Sequence, residues 1–163
     1  MIRKISITAA LAGILLVPAS SLAGVNVRFI NSERYSDAGA RDGTLAALRS
    51  HLQRLGERFL APGQTLTVDI LDVDLAGQYE PWRRNLADVR ILRDVTPPRI
   101  KLRYVLTERG KRSRSGEDNL TDINYQMNPS ARSSSDRLVY EKALLDDWFR
   151  RNFADRGVSR GPS

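Results

Sequence analysis

Ile100, Leu102, Tyr104 and Leu106 are separated by Lys101, Arg103 and Val105. An apolar residue at every second position is the pattern of a strand with one face against a core and the other in water. On the wet side stand two cations. The segment therefore commits the chain to a sheet with one covered face, and to an opposite face that carries charge.

The remaining elements follow from similar spacing. Val25-Asn26-Val27-Arg28-Phe29 alternates in the same way, and Arg28 points away from Val27 and Phe29. The polar stretch from Asn31 to Gly39 ends that strand. Leu45, Leu48, Leu52, Leu55 and Phe59 recur at steps of three and four, which predicts a helix from about Asp42 to Phe59 with one apolar stripe. Asp42 or Thr44 is a candidate cap, and Ala61-Pro62-Gly63 stops the helix. Leu66, Val68 and Ile70 alternate next, but Leu71, Val73 and Leu75 continue on the opposite parity. A β-bulge near Ile70-Leu71, or a strand buried on both faces, explains the slip. Residues 77–98 have no clear period and include Pro81, Pro97 and Pro98, with room for a short strand over Val89-Arg90-Ile91-Leu92. Arg109-Gly110 predicts a turn, and a weaker returning strand is expected to reach Tyr125, interrupted at Gly116. Ser133 to Asp136 offer caps for a last helix, on which Leu138, Leu144, Leu145, Trp148, Phe149 and Phe153 share a stripe.

The expected order is β-α-β-(β)-β-β-α. It predicts an α+β fold, a two-layer sandwich in which two amphipathic helices cover one face of a mostly antiparallel sheet of four to five strands. Residues 24–154 are expected to form one domain, followed by a disordered tail over 155–163.

Arg3 and Lys4 precede an uncharged, mostly apolar run from Ile5 to Val17. Pro18 and the small residues Ser21 and Ala23 follow. This three-zone pattern predicts a signal peptide over residues 1–23, cleaved after Ala23, and a periplasmic protein. The run is too short to span a bilayer comfortably. The full chain of 163 residues carries a net charge of +7, so about +5 remains once Arg3 and Lys4 are set aside. It has no cysteine, which excludes disulfides, thiolate metal sites, thiol nucleophiles and lipidation at a lipobox.

Several runs together are similar to one family. They are Asp72-Val73-Asp74-Leu75-Ala76-Gly77-Gln78-Tyr79-Glu80-Pro81-Trp82-Arg83, then Pro98-Arg99-Ile100-Lys101-Leu102-Arg103-Tyr104, then Tyr140-Glu141-Lys142 and Leu145-Asp146-Asp147-Trp148-Phe149. They resemble the domain of unknown function 3016 family, small exported proteins of Gram-negative bacteria. The resemblance runs from Val25 to Phe153 and implies a periplasmic location and one folding unit. It implies no activity and transfers no functional residue.

Candidate chemistry is read residue by residue. Asp69, Asp72 and Asp74 are close in sequence, but strand alternation sets Asp69 opposite to Asp72 and Asp74 unless a bulge intervenes. Solvated charge with a turn at Asp74 is the expectation, and no metal or other cofactor is expected. His51, the only histidine, flanks the first helix's stripe and is expected at the boundary with a wet ring tip. Glu141 falls inside the apolar stripe of the last helix, where a carboxylate must find a partner or suffer a raised pKa. A buried ion pair with Arg83 or Arg99 is the structural expectation, and a tuned acid or ligand contact the functional one. Trp82 either packs the 77–98 loop onto the core or stands exposed as a recognition aromatic.

The charge map supplies the functional hint. From Arg83 to Arg114 stand eleven basic and three acidic residues, a local excess of about +8. Arg28, Lys101 and Arg103 are expected on the uncovered sheet face, with Arg83 and Trp82 as further binding candidates. Arg109, Lys111, Arg112 and Arg114 gather at the hairpin tip. Such a surface attracts polyanions. The expected function is a non-enzymatic envelope binding or adaptor domain with a basic surface. Its partner would be lipopolysaccharide, anionic phospholipid or an acidic protein, and nucleic acid is not expected after export. The alternative is a small periplasmic enzyme using carboxylates such as Asp72, Asp74, Glu141, Asp146 or Asp147.

Overall fold

The computed structural model describes residues 23–37, 43–80, 82, 90–132 and 134–154. Strand β1 is Gly24–Phe29, followed by a 3-10 turn at Ser32–Arg34 and helix α1 at Thr44–Phe59. Strands β2 (Gln64–Asp74), β3 (Gln78–Tyr79), β4 (Arg90–Ile91), β5 (Arg99–Glu108) and β6 (Arg114–Thr121) come next. A 3-10 turn at Tyr125–Met127, the short helix α2 (Pro129–Arg132) and helix α3 (Val139–Phe153) complete the order.

Four strands form one sheet in the order β1-β2-β5-β6. β1 and β2 are parallel neighbours, which requires a crossover between them, and α1 lies on that crossover. β2, β5 and β6 are antiparallel. β3 and β4 make a separate two-stranded ribbon, so the weak strand expected near residue 90 pairs outside the main sheet. The sheet is thus mostly antiparallel, and the fold is the expected α+β sandwich.

Both main helices lie over the same side of the sheet: α1 packs on β1 and α3, and α3 reaches β5 and β6. Between the layers lie Leu48, Leu52 and Leu55 of α1, Leu145, Trp148 and Phe149 of α3, and the inward rows of β2 and β5. Full burial of each such side chain contributes about 1.5–3 kcal/mol relative to leaving it exposed. Gly56 lets α1 approach β1, since a Cβ there would sit 2.1 Å from Val25 Cγ2. Trp148 stacks edge-on against Tyr104 at 5.5 Å between centroids, and its indole N–H donates to Asp118 Oδ2 at 2.8 Å.

In β2 the register with β5 shifts between Ile70 and Asp72, so Leu71 is the extra residue of a bulge. That resolves the phase slip. Beyond it Val73 faces the core opposite Ile100, and Asp72 and Asp74 stand opposite Lys101 and Arg99. Tyr35 fastens the bulge, its hydroxyl donating to the Ile70 carbonyl at 2.6 Å while the Ile30 N–H donates to the same oxygen at 3.0 Å. Burial pushes the Tyr35 hydroxyl up to about 12.

Some local expectations are corrected. α1 begins at Thr44 after Gly43, whose φ of 80° makes it the cap, and no side chain caps the helix. Thr44 is itself helical and so cannot serve. β6 runs through Gly116 without a break and stops at Thr121. Tyr125 instead is the buried residue of a 3-10 turn, its hydroxyl donating to the Arg93 carbonyl at 2.9 Å. The last helix likewise has no side-chain cap: its cap is Leu138, and Asp136 Oδ1 accepts the Leu138 N–H at 2.9 Å just ahead of the helix. The leader over 1–22, the cap candidate Asp42, the tail over 155–163 and Arg83 lie outside the described residues. Among the described residues no helix is long and apolar enough to cross a membrane.

Candidate functional site

The uncovered face of the sheet holds Arg28, Lys101 and Arg103, as alternation requires. It also holds carboxylates in register with them. Asp69 is only 5% exposed and is gripped from both sides. Arg28 donates to its two oxygens at 2.6 and 2.8 Å, and Arg103 donates to Oδ2 at 3.1 Å. The Arg28 hydrogen bond, with Arg103 adding to it, holds the Asp69 carboxyl below the usual aspartate range. Lys101 meets Glu117 of β6 at 3.0 Å. Because of the Leu71 bulge, Asp69, Asp72 and Asp74 share this face, one column of carboxylates beside one column of cations. Asp72 in turn accepts the Ser36 N–H at 2.7 Å and its hydroxyl at 2.8 Å. Among the described residues no group of three acidic or histidine side chains is placed to hold a metal ion.

At the hairpin end of the sheet the balance differs. A groove of 560 Å³ opens between the β5–β6 hairpin and the C-terminal ends of α1 and α3. Phe59, Leu106 and Phe153 supply its apolar lining, and Lys111, Arg112 and Arg114 its cations. Arg114 donates from Nη2 to the Asn152 carbonyl at 2.8 Å and lies over the Phe153 ring at 5.5 Å, while its Nε is buried without a partner. Lys111 pairs with Glu108 at 2.7 Å. That bond, with help from Gln64, holds Glu108 below the usual range. Arg109 and Arg112 have no ion-pair partner among the described residues.

The opposite end of the sheet, about 30 Å away along β5 at roughly 3.3 Å per residue, carries a polar cleft of 540 Å³. One wall is the bend over Leu75, Ala76 and Gly77. Arg90 donates to all three carbonyls: Nε to Ala76 O at 2.9 Å, Nη2 to Leu75 O at 2.9 Å and to Gly77 O at 2.5 Å. It also pairs with Asp37. Gly77 has φ 74°, and a Cβ there would meet the Ile91 carbonyl at 2.7 Å, so the bend needs glycine.

Glu141 secures the same bend from the core side. It is 1% exposed, and its Oε1 accepts the Ala76 N–H at 2.7 Å while Oε2 is buried without a hydrogen-bond partner. Burial raises its carboxyl above the usual glutamate range, and the positive charge of Arg90 opposes that rise. The stripe argument correctly buried this residue, but its partner is backbone; Arg99 forms no ion pair with it.

Trp82 is 71% exposed, so it does not pack onto the core. His51 lies in a third groove between α1 and α3, where its Nε2 meets Asp146 Oδ1 at 2.8 Å. Asp147 pairs with Arg150. Sequence reasoning missed Asp37 and Arg90 because both sit in segments without a period. It placed Phe59 and Phe153 in apolar stripes, but not in the lining of a common groove at the ends of the two helices.

The family model described as Protein of unknown function (DUF3016) matches residues 23–151. No curated protein matches the chain.

Proposed function

The chain belongs to that family, and for this member of it we propose a non-enzymatic binding domain of the cell envelope, exported by its leader and seated on phosphate-bearing amphiphiles through the hairpin groove. One observation carries the reading. Arg114 holds a buried Nε without a partner beside an aromatic floor, while Arg112 stands free on the rim. A phosphate answers the guanidinium groups and an acyl chain answers Phe59, Leu106 and Phe153. The open sheet face serves this role less well, because Arg28, Lys101 and Arg103 already have carboxylates. A basic surface near an anionic bilayer gains about 1 kcal/mol per Lys or Arg.

Sedimentation with vesicles tests the proposal, using phosphatidylglycerol or lipopolysaccharide against neutral phosphatidylcholine. Binding to the anionic vesicles should weaken with salt. Lys111→Gln with Arg112→Gln should lower affinity about thirtyfold, from the loss of two such cations. Lys101→Gln with Arg103→Gln should change it less than about threefold. Equal losses for the two pairs would sink the groove assignment, and equal binding to neutral vesicles would sink the anionic ligand. Preference between phosphatidylglycerol and lipopolysaccharide decides the source of the phosphate. Mass spectrometry of the protein recovered from cells should give an N-terminus at Gly24. An intact chain from Met1 in a soluble cytoplasmic extract would remove the compartment.

The carboxylate-enzyme alternative has one observation in its favour, the His51–Asp146 pair, since a carboxylate on one ring nitrogen orients an imidazole for proton transfer. It lacks a nucleophile or a second converging carboxylate at hydrogen-bond distance among the described residues, so the binding reading is preferred.

A further inference from the structure

We propose that the polar cleft at the far end of the sheet binds a short zwitterion, a dipeptide with both termini free, with its ammonium on Asp74 and its carboxylate on Arg99. The inference rests on which charges in the cleft are already engaged. Asp37 is taken by Arg90, and Arg90 by Asp37 and three backbone carbonyls, which leave only its buried Nη1 without a partner. Asp72, outside the cleft lining, is taken by Ser36. Two charged groups lining the cleft make no hydrogen bond or ion pair at all with a described residue: Asp74, half-buried, and Arg99, exposed.

These two are directly opposed in the β2–β5 register, yet they form neither an ion pair nor a hydrogen bond with each other or with any described residue. Opposed residues of an antiparallel pair have Cα atoms only about 5 Å apart. An Asp and an Arg so placed would normally close on each other. Side by side on the cleft wall and not joined to each other, they offer one negative and one positive end to a guest that carries the complementary pair. A dicarboxylate would be repelled by Asp74 and a diamine by Arg99. A neutral sugar would leave both charges unanswered.

Size favours two residues over one. The cleft volume of 540 Å³ exceeds that of a single amino acid, and an extended dipeptide spans about 7 Å. The wall that would face the guest is rigid, since the bend is held from the cleft side by Arg90 and from the core side by Glu141. A preformed wall loses little freedom on binding, which favours a small ligand. Val95, 80% exposed at the rim, offers apolar contact to a small side chain. Asp74 is also held above the usual aspartate range, by burial first and by the neighbouring Asp37 second. A carboxyl so disfavoured as an anion gains from a cationic guest.

Isothermal titration of the purified protein with alanyl-alanine tests the site, beside its N-acetylated and C-amidated forms. Blocking either terminus should weaken binding about tenfold or more, the loss of one charge-assisted contact. Asp74→Asn should abolish discrimination between the free and acetylated amine, and Arg99→Gln that between carboxylate and amide, each ratio falling towards one. Arg99→Lys, which keeps the charge, should retain it. The proposal is overturned if blocked forms bind as well as the free dipeptide, if discrimination survives in the variants, or if no heat appears up to about 10 mM. Should the variants fail to fold, the comparison of free and blocked dipeptides on the unmodified protein still decides.

Discussion

The open sheet face and the hairpin end each hold four cations, Arg28, Arg99, Lys101 and Arg103 on the first and Arg109, Lys111, Arg112 and Arg114 on the second. The difference lies in what stands beside them. Across the face run Asp69, Asp72, Asp74 and Glu117, brought into register by strand pairing. At the hairpin end, among the described residues, only Glu108 answers. Field strength at a surface depends on such neighbours more than on the number of cations along a segment. Along most of the face Arg28, Arg103 and Lys101 are internally paired, with Arg99 at one end the exception, and the hairpin end is left with charge to offer.

Removing one carboxylate should turn the first kind of surface into the second. Asp69→Asn leaves Arg28 and Arg103 without the group that both donate to. The expected cost is about 2 kcal/mol, in the range for hydrogen bonds to charged groups, measured by urea unfolding. The same variant should acquire salt-sensitive binding to anionic vesicles on a face that lacked it. Unchanged stability and unchanged binding together would show that the face is not neutralised by Asp69.

A titration sharpens the contrast between paired and buried carboxylates. Asp69 is held low, so the folded protein binds fewer protons there than the unfolded chain. Its contribution is present above the ordinary aspartate value and is lost as pH falls through its folded value. Glu141 is held high, so the folded protein keeps its proton longer. Its contribution is present below the ordinary glutamate value and is lost as pH rises through its folded value. Glu141→Gln keeps an acceptor for the Ala76 N–H and should flatten the decline above the glutamate range, with the acid side unchanged. Stability against pH, followed by circular dichroism, checks both arms. A decline of equal slope in Glu141→Gln would assign it to another group.

The smallest effect is expected at the edge. Lys101 and Glu117 are each about half exposed, so Glu117→Gln should cost less than about 1 kcal/mol. A larger loss in thermal unfolding would mean that the charges of the face act as a network.

Much of the fold was legible because period and burial are local. The alternation from Ile100 to Leu106 and the leucine stripe of α1 need only their own neighbours to be read. The open position of Arg28, Lys101 and Arg103 followed from the same parity, and so did the burial of Glu141. What the residues could not disclose was pairing across distance. Asp69 lies 41 positions from Arg28 and 34 from Arg103. Their neutralisation depends on a parallel crossover and an antiparallel neighbour meeting on one strand. The cleft was hidden for a related reason: Asp37, Asp74, Arg90 and Arg99 come from four segments, and two of these have no period.

The additional residue in β2 has a wider consequence. Pair Leu71 as an ordinary ladder residue, without the bulge, and strict two-residue parity would turn Asp72 and Asp74 toward the helices and send Val73 into water. Ser36 would lose its anchor, and the cleft would lose an acidic wall. A single out-of-step position thus sets the outward chemistry of half a strand, and the same residues paired without that bulge would present a different exterior on the same scaffold.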